Sequence, residues 1–246
     1  MKADSLQILY LQIREDEITR HEELNEFVRY SGLKAEQFTI LNVFDTPHFD
    51  LDWLKGQHSV FVGGSSDASV LKGDMFVEEA KSLLLHCLEV NIPVFASCFG
   101  FQVAVEALGG NVILDPENME MGSYSMYLTN EAQKDLLFYD TPSPFCAISG
   151  HKERAVSLPN NVTLLAYSEL CPYHSFKVNE KPFYAFQFHP EVNDIDLINR
   201  ITRYQARYLN EREALEKIKQ ITFPTPESKI IVKKFVERIL LPRFCN

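Results

Sequence analysis

Apolar residues in the first half of the chain fall alternately into short unbroken runs and into helically spaced sets. Residues 6–13 (LQILYLQI) form a Leu- and Ile-rich run, followed by EITRHEELNEFVRYSG, whose apolar positions recur at helical spacing up to Gly32, a C-cap candidate. FTILNVF (38–44) and HSVFVGG (58–64) read as the next strands. DMFVEEAKSLLLHCLEVN (74–91) reads as a helix whose early acidic residues suit the positive end of its dipole. IPVFAS is then a strand, FGFQVAVEALGG a helix and NVILD a strand. Strands apolar throughout and separated by helices predict βαβ units and a mostly parallel sheet covered on both faces.

The pattern changes after about residue 122. GSYSMYLT, NVTLLAYS, HSFKV and FYAFQF are strand-like segments joined by turns, which predict antiparallel additions to the sheet. Residues 194–221 read as one long helical pattern, with Ile195, Leu197, Ile198, Ile201, Tyr204, Tyr208 and Leu209 near one face. TFPTPES breaks it, and KIIVKKFVERILL (229–241) is too apolar for an isolated exposed helix. The expected architecture is α/β: a flavodoxin-like three-layer domain over residues 1–193, with a C-terminal helical extension over 194–246 packed on it. A partner protein is the alternative cover for the second helix.

Composition narrows the function classes. The net charge of −10 disfavours phosphate backbones and anionic membrane surfaces, so neither nucleic acid nor membrane is expected as a partner. No apolar stretch is long enough to span a bilayer, and the N-terminus lacks the pattern of a signal peptide. Five scattered cysteines (Cys87, Cys98, Cys146, Cys171, Cys245) do not form a disulfide framework, which favours a cytoplasmic location. Cys171 and His174 in CPYH have metal-like spacing, but no second Cys/His pair completes a site, so no metal or other cofactor is expected.

The candidate chemistry starts in PVFASCFGFQ, where an apolar run ends at Cys98 and Gly100 follows two positions later. A strand, a sharp turn and a helix with the cysteine at the turn form a nucleophile elbow. The helix N-terminus there favours a thiolate, although most free cysteines are small buried hydrophobes. A nucleophile of this kind needs a base and a group to orient it. YAFQFHPEV supplies His189 at a strand end, Pro190 to fix the chain, and Glu191, which can reach back to the imidazole.

ASCFGFQ resembles the nucleophile motif of the class I (triad) glutamine amidotransferases, FQFHPEV resembles their His-Pro-Glu signature, and SVFVGGSSDAS resembles their oxyanion strand and loop. The blocks stand in the family's order over residues 6–192. The resemblance implies Cys98 as nucleophile, His189 as base and acid, Glu191 as its orienting partner, and the N–H groups of Gly64 and Phe99 as the oxyanion hole. It also implies Gln102 and His151 as substrate-binding residues. The chain departs from the family at Ala96, at Ser65 and Ser66 in the oxyanion loop, and at Lys152 and Glu153 after His151. The implied reaction is cleavage of the glutamine side-chain amide to glutamate and ammonia. The implied partner is a synthase subunit that uses the ammonia. The alternatives are a γ-glutamyl peptide hydrolase and a non-catalytic binding relative.

Overall fold

A computed structural model describes residues 3–204 and 212–244. Among the described residues the main sheet holds nine strands in the order β2-β1-β3-β4-β11-β10-β9-β6-β7. Its first half consists of β1 (Ile8–Gln12), β2 (Phe38–Asn42), β3 (Ser59–Val62), β4 (Val94–Ser97) and β11 (Phe183–Phe186), which pair with one another in parallel. Its second half, β10 (Ser175–Val178), β9 (Val162–Tyr167), β6 (Glu120–Leu128) and β7 (Phe145–His151), is antiparallel. Two short strands, β5 (Asn111–Leu114) and β8 (Glu153–Ser157), pair separately as an antiparallel ribbon.

Strand alternation divides the interior in two. Leu9 and Leu11 of β1, with Val62 and Val94, face helices α2 (Met75–Val90) and α3 (Phe99–Ala107). Ile8 and Tyr10, with Phe61 and Phe95, face α1 (Glu17–Ser31) on the other side. The result is a helix–sheet–helix sandwich, because a parallel strand buried on both faces must find apolar cover on each. Asp16 caps α1 by accepting the Thr19 N–H at 2.7 Å, and Gly32 closes it in the left-handed conformation at φ 75°.

Three features depart from the sequence expectations. β5 leaves the main sheet, because its partner β8 draws it into the ribbon. β7 and β8 are strands that the turn-rich composition concealed. The long helical pattern is not one helix: α4 (Asp194–Arg203) ends at its cap, Tyr204, and α5 (Arg212–Ile221) is a separate element. Tyr208 and Leu209 lie outside the described residues.

α6 (Pro226–Phe235) fills the α1 face of the sheet. Phe235 is fully buried, with ring centroids 5.3 Å from Phe95 and 5.7 Å from Phe61. A π-helical turn (Val236–Leu240) and α7 (Leu241–Phe244) follow, and Ile239 and Leu240 are buried in the same cluster. The cover for this apolar helix therefore comes from its own chain. No described helix is long and apolar enough to cross a membrane.

Candidate active site

Cys98 stands between β4 and α3 with φ 49° and ψ −95°, a conformation that L-residues rarely hold. Its N–H donates to Phe186 O at 2.7 Å, which pins the turn to the end of β11. Gly100 explains how closely the turn packs. A Cβ there would lie 2.8 Å from the Val62 side chain and 3.0 Å from its carbonyl oxygen. Any larger residue would push the elbow off β3.

His189 follows β11 and donates its N–H to Ile148 O at 2.8 Å, so β7 fixes its backbone. Its Nδ1 is 2.7 Å from Glu191 Oε1, and Glu191 is fully buried. The carboxylate holds that ring nitrogen and leaves Nε2 for the cysteine side. Ser97, beside the cysteine in sequence, places its hydroxyl 2.8 Å from both Glu191 oxygens. Burial by itself would lower the His189 pKa; the neighbouring Cys98 sulfur and Glu191 outweigh it and push the pKa up to about 10. The structure thus brings Cys98, His189 and Glu191 together.

A cavity of about 160 Å³ opens over the sulfur, and Phe99, Gln102, His151, Lys152 and Glu153 are among its walls. Gln102 is buried rather than on the surface of its helix. Its amide donates to Glu153 O at 3.2 Å and to Gln187 Oε1 at 3.4 Å. Gln187 in turn places its own amide 3.8 Å from Cys98 Sγ. Glu153 accepts from Ser69 Oγ, and burial raises its pKa against the opposing effects of Ser69 and Lys72.

The two oxyanion candidates differ. Phe99 opens α3, where an N–H has no intrahelical acceptor. The Gly64 N–H instead donates to the buried Glu23 carboxylate at 3.0 Å. The same Glu23 oxygen lies 2.8 Å from Arg14 Nη2, and Tyr10 OH also bonds to Glu23. Arg14 opposes the effect of burial and holds the Glu23 pKa below its ordinary value. Gly64 still sits close to the reacting groups: a Cβ there would be 2.8 Å from His189 Cε1 and 3.5 Å from Cys98 Cβ. In this conformation its N–H is committed to Glu23, not presented to the cavity.

His151 lies at the cavity wall and also belongs to a buried polar group behind it. Its Nε2 is 3.3 Å from Glu120 Oε2, and His174 Nε2 is 2.8 Å from the same oxygen. Burial would lower the His174 pKa, but Cys171 and Glu120 overcome it and push it up to about 9. His151, where burial dominates, is shifted down.

Ser97, Gln187, Glu23 and Glu120 carry much of this geometry; Ser97 and Gln187 lie inside the two motifs with no role assigned to them, and Glu23 and Glu120 lie outside both. Ser97 and Gln187 could have been found by strand alternation beside Cys98 and His189. Glu23 and Glu120 meet the site only through the fold.

Comparison with known proteins agrees with the architecture. The family model described as "Glutamine amidotransferase class-I" matches residues 28–195. A subunit of the glutamine-hydrolyzing GMP synthase of Methanococcus aeolicus is 35% identical over 124 residues, 50% of this chain and 64% of that one. The chain thus spans less than two-thirds of that relative. Gamma-glutamyl peptidase 3 of Arabidopsis thaliana is 26% identical over 221 residues, 88% of this chain and 87% of that one. A glutamine amidotransferase from Thermotoga maritima superposes with a TM-score of 0.72 at 18% identity, covering 96% of this chain and 98% of its own. The family match spans more than half of the chain and contains the elbow cysteine and the His-Pro-Glu segment, so this chain belongs to the class I glutamine amidotransferases.

Proposed function

We propose that the chain hydrolyses a γ-glutamyl amide through a thioester on Cys98. The observation that carries this reading is the hydrogen-bonded line Ser97–Glu191–His189, which ends beside the strained cysteine. The Cys98 thiolate attacks the γ-carbonyl carbon, and the C=O electron pair moves onto oxygen. Phe99 N–H is the first donor to that oxyanion, and Gly64 N–H becomes the second when Glu23 releases it. Collapse breaks the C–N bond, and the His189 imidazolium gives its proton to the leaving nitrogen. Neutral His189 then takes a proton from water, whose oxygen attacks the thioester, and glutamate leaves as the thiolate re-forms. Gln102 supports the cavity wall through Glu153 and Gln187, and His151 forms part of that wall. With free glutamine the leaving group is ammonia, and a synthase subunit would be the partner that uses it.

A second reading names a γ-glutamyl conjugate as the substrate. Lys152 and Glu153 bring two charged side chains to the cavity wall. The γ-glutamyl peptidase alignment covers nearly the whole of both chains, whereas the match to the Methanococcus synthase covers only half of this one. One experiment separates the readings: incubation with glutamine and with γ-glutamyl dipeptides, measuring ammonia and glutamate independently. Ammonia and glutamate in equal amounts from glutamine support the first. Glutamate from dipeptides without turnover of glutamine supports the second. A glutamine-like diazo-ketone should label Cys98 in either case; labelling at Cys87 or Cys171 would remove both.

A further inference from the structure

The sequence shows Cys171 and His174 three positions apart and no second pair to complete a site. The fold supplies a third residue. His151 ends β7, and Cys171 and His174 lie in the turn that leads into β10. One ligand-type atom from each of the three falls within 4.8 Å of the others, and all three side chains are buried. His151 and His174 rings meet edge-on with centroids 5.5 Å apart.

The hydrogen bonding at this point is incomplete. His174 Nε2 is held by Glu120 at 2.8 Å, which leaves Nδ1, and that nitrogen is buried without a hydrogen-bond partner. Both nitrogens of His151 lack a well-directed hydrogen bond, although Nε2 stands 3.3 Å from the Glu120 oxygen. Cys171 Sγ has the Tyr173 carbonyl at 3.6 Å as a weak hydrogen-bond acceptor. Buried polar atoms are normally satisfied, and several unsatisfied ones converging on one point need an occupant.

We propose that His151, Cys171 and His174 bind one divalent ion of the zinc type, with Glu120 as the carboxylate that orients the imidazoles. A thiolate with two imidazoles is the donor set that zinc takes, and one that magnesium and calcium do not. A ring nitrogen held by a carboxylate while the other faces the metal is the usual second layer of such sites. Charge also balances: the Cys171 thiolate and the Glu120 carboxylate together neutralise a doubly charged ion in a buried setting. Binding expels the thiol proton and any proton on the imidazoles to solvent. The fourth position of a tetrahedral ion falls to water or to a Glu120 oxygen. An ion here would fix His151 as a rigid wall of the catalytic cavity, and the neighbouring Gly150 carbonyl lies 4.0 Å from Cys98 Sγ.

The test uses the full chain carrying Cys98→Ala, which removes the thiol nearest the site's cavity and makes the outcome independent of catalysis. After treatment with a chelator the protein is titrated with Co²⁺ and then Zn²⁺. We expect one Co²⁺ per chain, with thiolate-to-cobalt absorption in the near ultraviolet, displaced by Zn²⁺. Adding Cys171→Ser should abolish that absorption and weaken binding about tenfold or more. Adding His174→Gln instead should weaken binding while keeping the thiolate band, and metal-free circular dichroism establishes that each variant folds. Zn²⁺ should raise the melting temperature of the Cys98→Ala protein and not that of the Cys171 double variant. No stoichiometric binding by Cys98→Ala, or binding unchanged by Cys171→Ser, would overturn the proposal and leave a buried ion-pair network.

Discussion

The hydroxyl of Ser97 lies 2.8 Å from each carboxylate oxygen of Glu191, whose Oε1 in turn holds the His189 imidazole. The residue before the candidate nucleophile thereby holds the carboxylate that holds the base. A fully buried carboxylate must satisfy its lone pairs, and this serine supplies a donor that water cannot. Ser97→Ala should therefore lower kcat about tenfold, the effect expected from losing one hydrogen bond to a buried charge, with little change in KM. An unchanged kcat would show that Glu191 is held by other means.

The members of the proposed triad should differ in weight. His189→Ala removes the group that moves protons and should cost about 10⁴-fold in kcat. Glu191→Gln should cost less, because the carboxylate orients the ring and stabilises its charge. Steady-state rates of the purified variants decide this. If His189→Ala turned over like the parent, the mechanism would be lost.

The pH dependence follows from the His189 pKa, raised from 6.5 to about 10. In the proposed mechanism the protonated ring is the acid for the leaving nitrogen, so kcat/KM, which reports the free enzyme, should fall as pH rises through about 10. Glu191→Gln removes one of the charges that raises this pKa and should move the alkaline limb to lower pH. The stability that His189 contributes is fully present below pH 6.5 and is lost as pH rises through about 10. Rate profiles of the two proteins check the shift; coincident alkaline limbs would count against it.

Glu23, in α1, ties the turn after β3 to the end of β1. Glu23→Ala would strip Arg14 of a buried carboxylate 2.8 Å away and also remove the acceptor of the Gly64 N–H. Breaking a buried pair from one side typically costs about 3–5 kcal/mol, so unfolding in denaturant should shift by about that amount. A midpoint equal to that of the unaltered protein would show that solvent or another group replaces the carboxylate.

Phe235 tests the C-terminal helices. It is fully buried between Phe61, Phe95 and Tyr184, so Phe235→Ala should cost about 3–5 kcal/mol of stability. Truncation after Gln220 removes the whole of α6 and should lower the melting temperature further. A truncated protein that melts with the full chain would contradict this packing.

Local sequence alone determined the parallel strands β1 to β4, the helices between them, and the Cys98 elbow. Unbroken apolar runs, helical spacing and a glycine two residues after the cysteine act over a few positions, and the chain cannot satisfy them otherwise. The His189–Pro190–Glu191 segment was legible for the same reason, since its geometry closes within three residues. Other features required the tertiary structure. Whether β5 joined the main sheet depended on β8, and whether the last helix faced its own chain or another depended on the open face beside α1. The engagement of the Gly64 N–H by Glu23 joins residues 41 positions apart. The meeting of Glu120 with His174 spans 54 positions, and no spacing rule relates such pairs. Strand order and register set those distances, because a side chain buried in a sheet is placed by its neighbours across the ladder rather than along the chain.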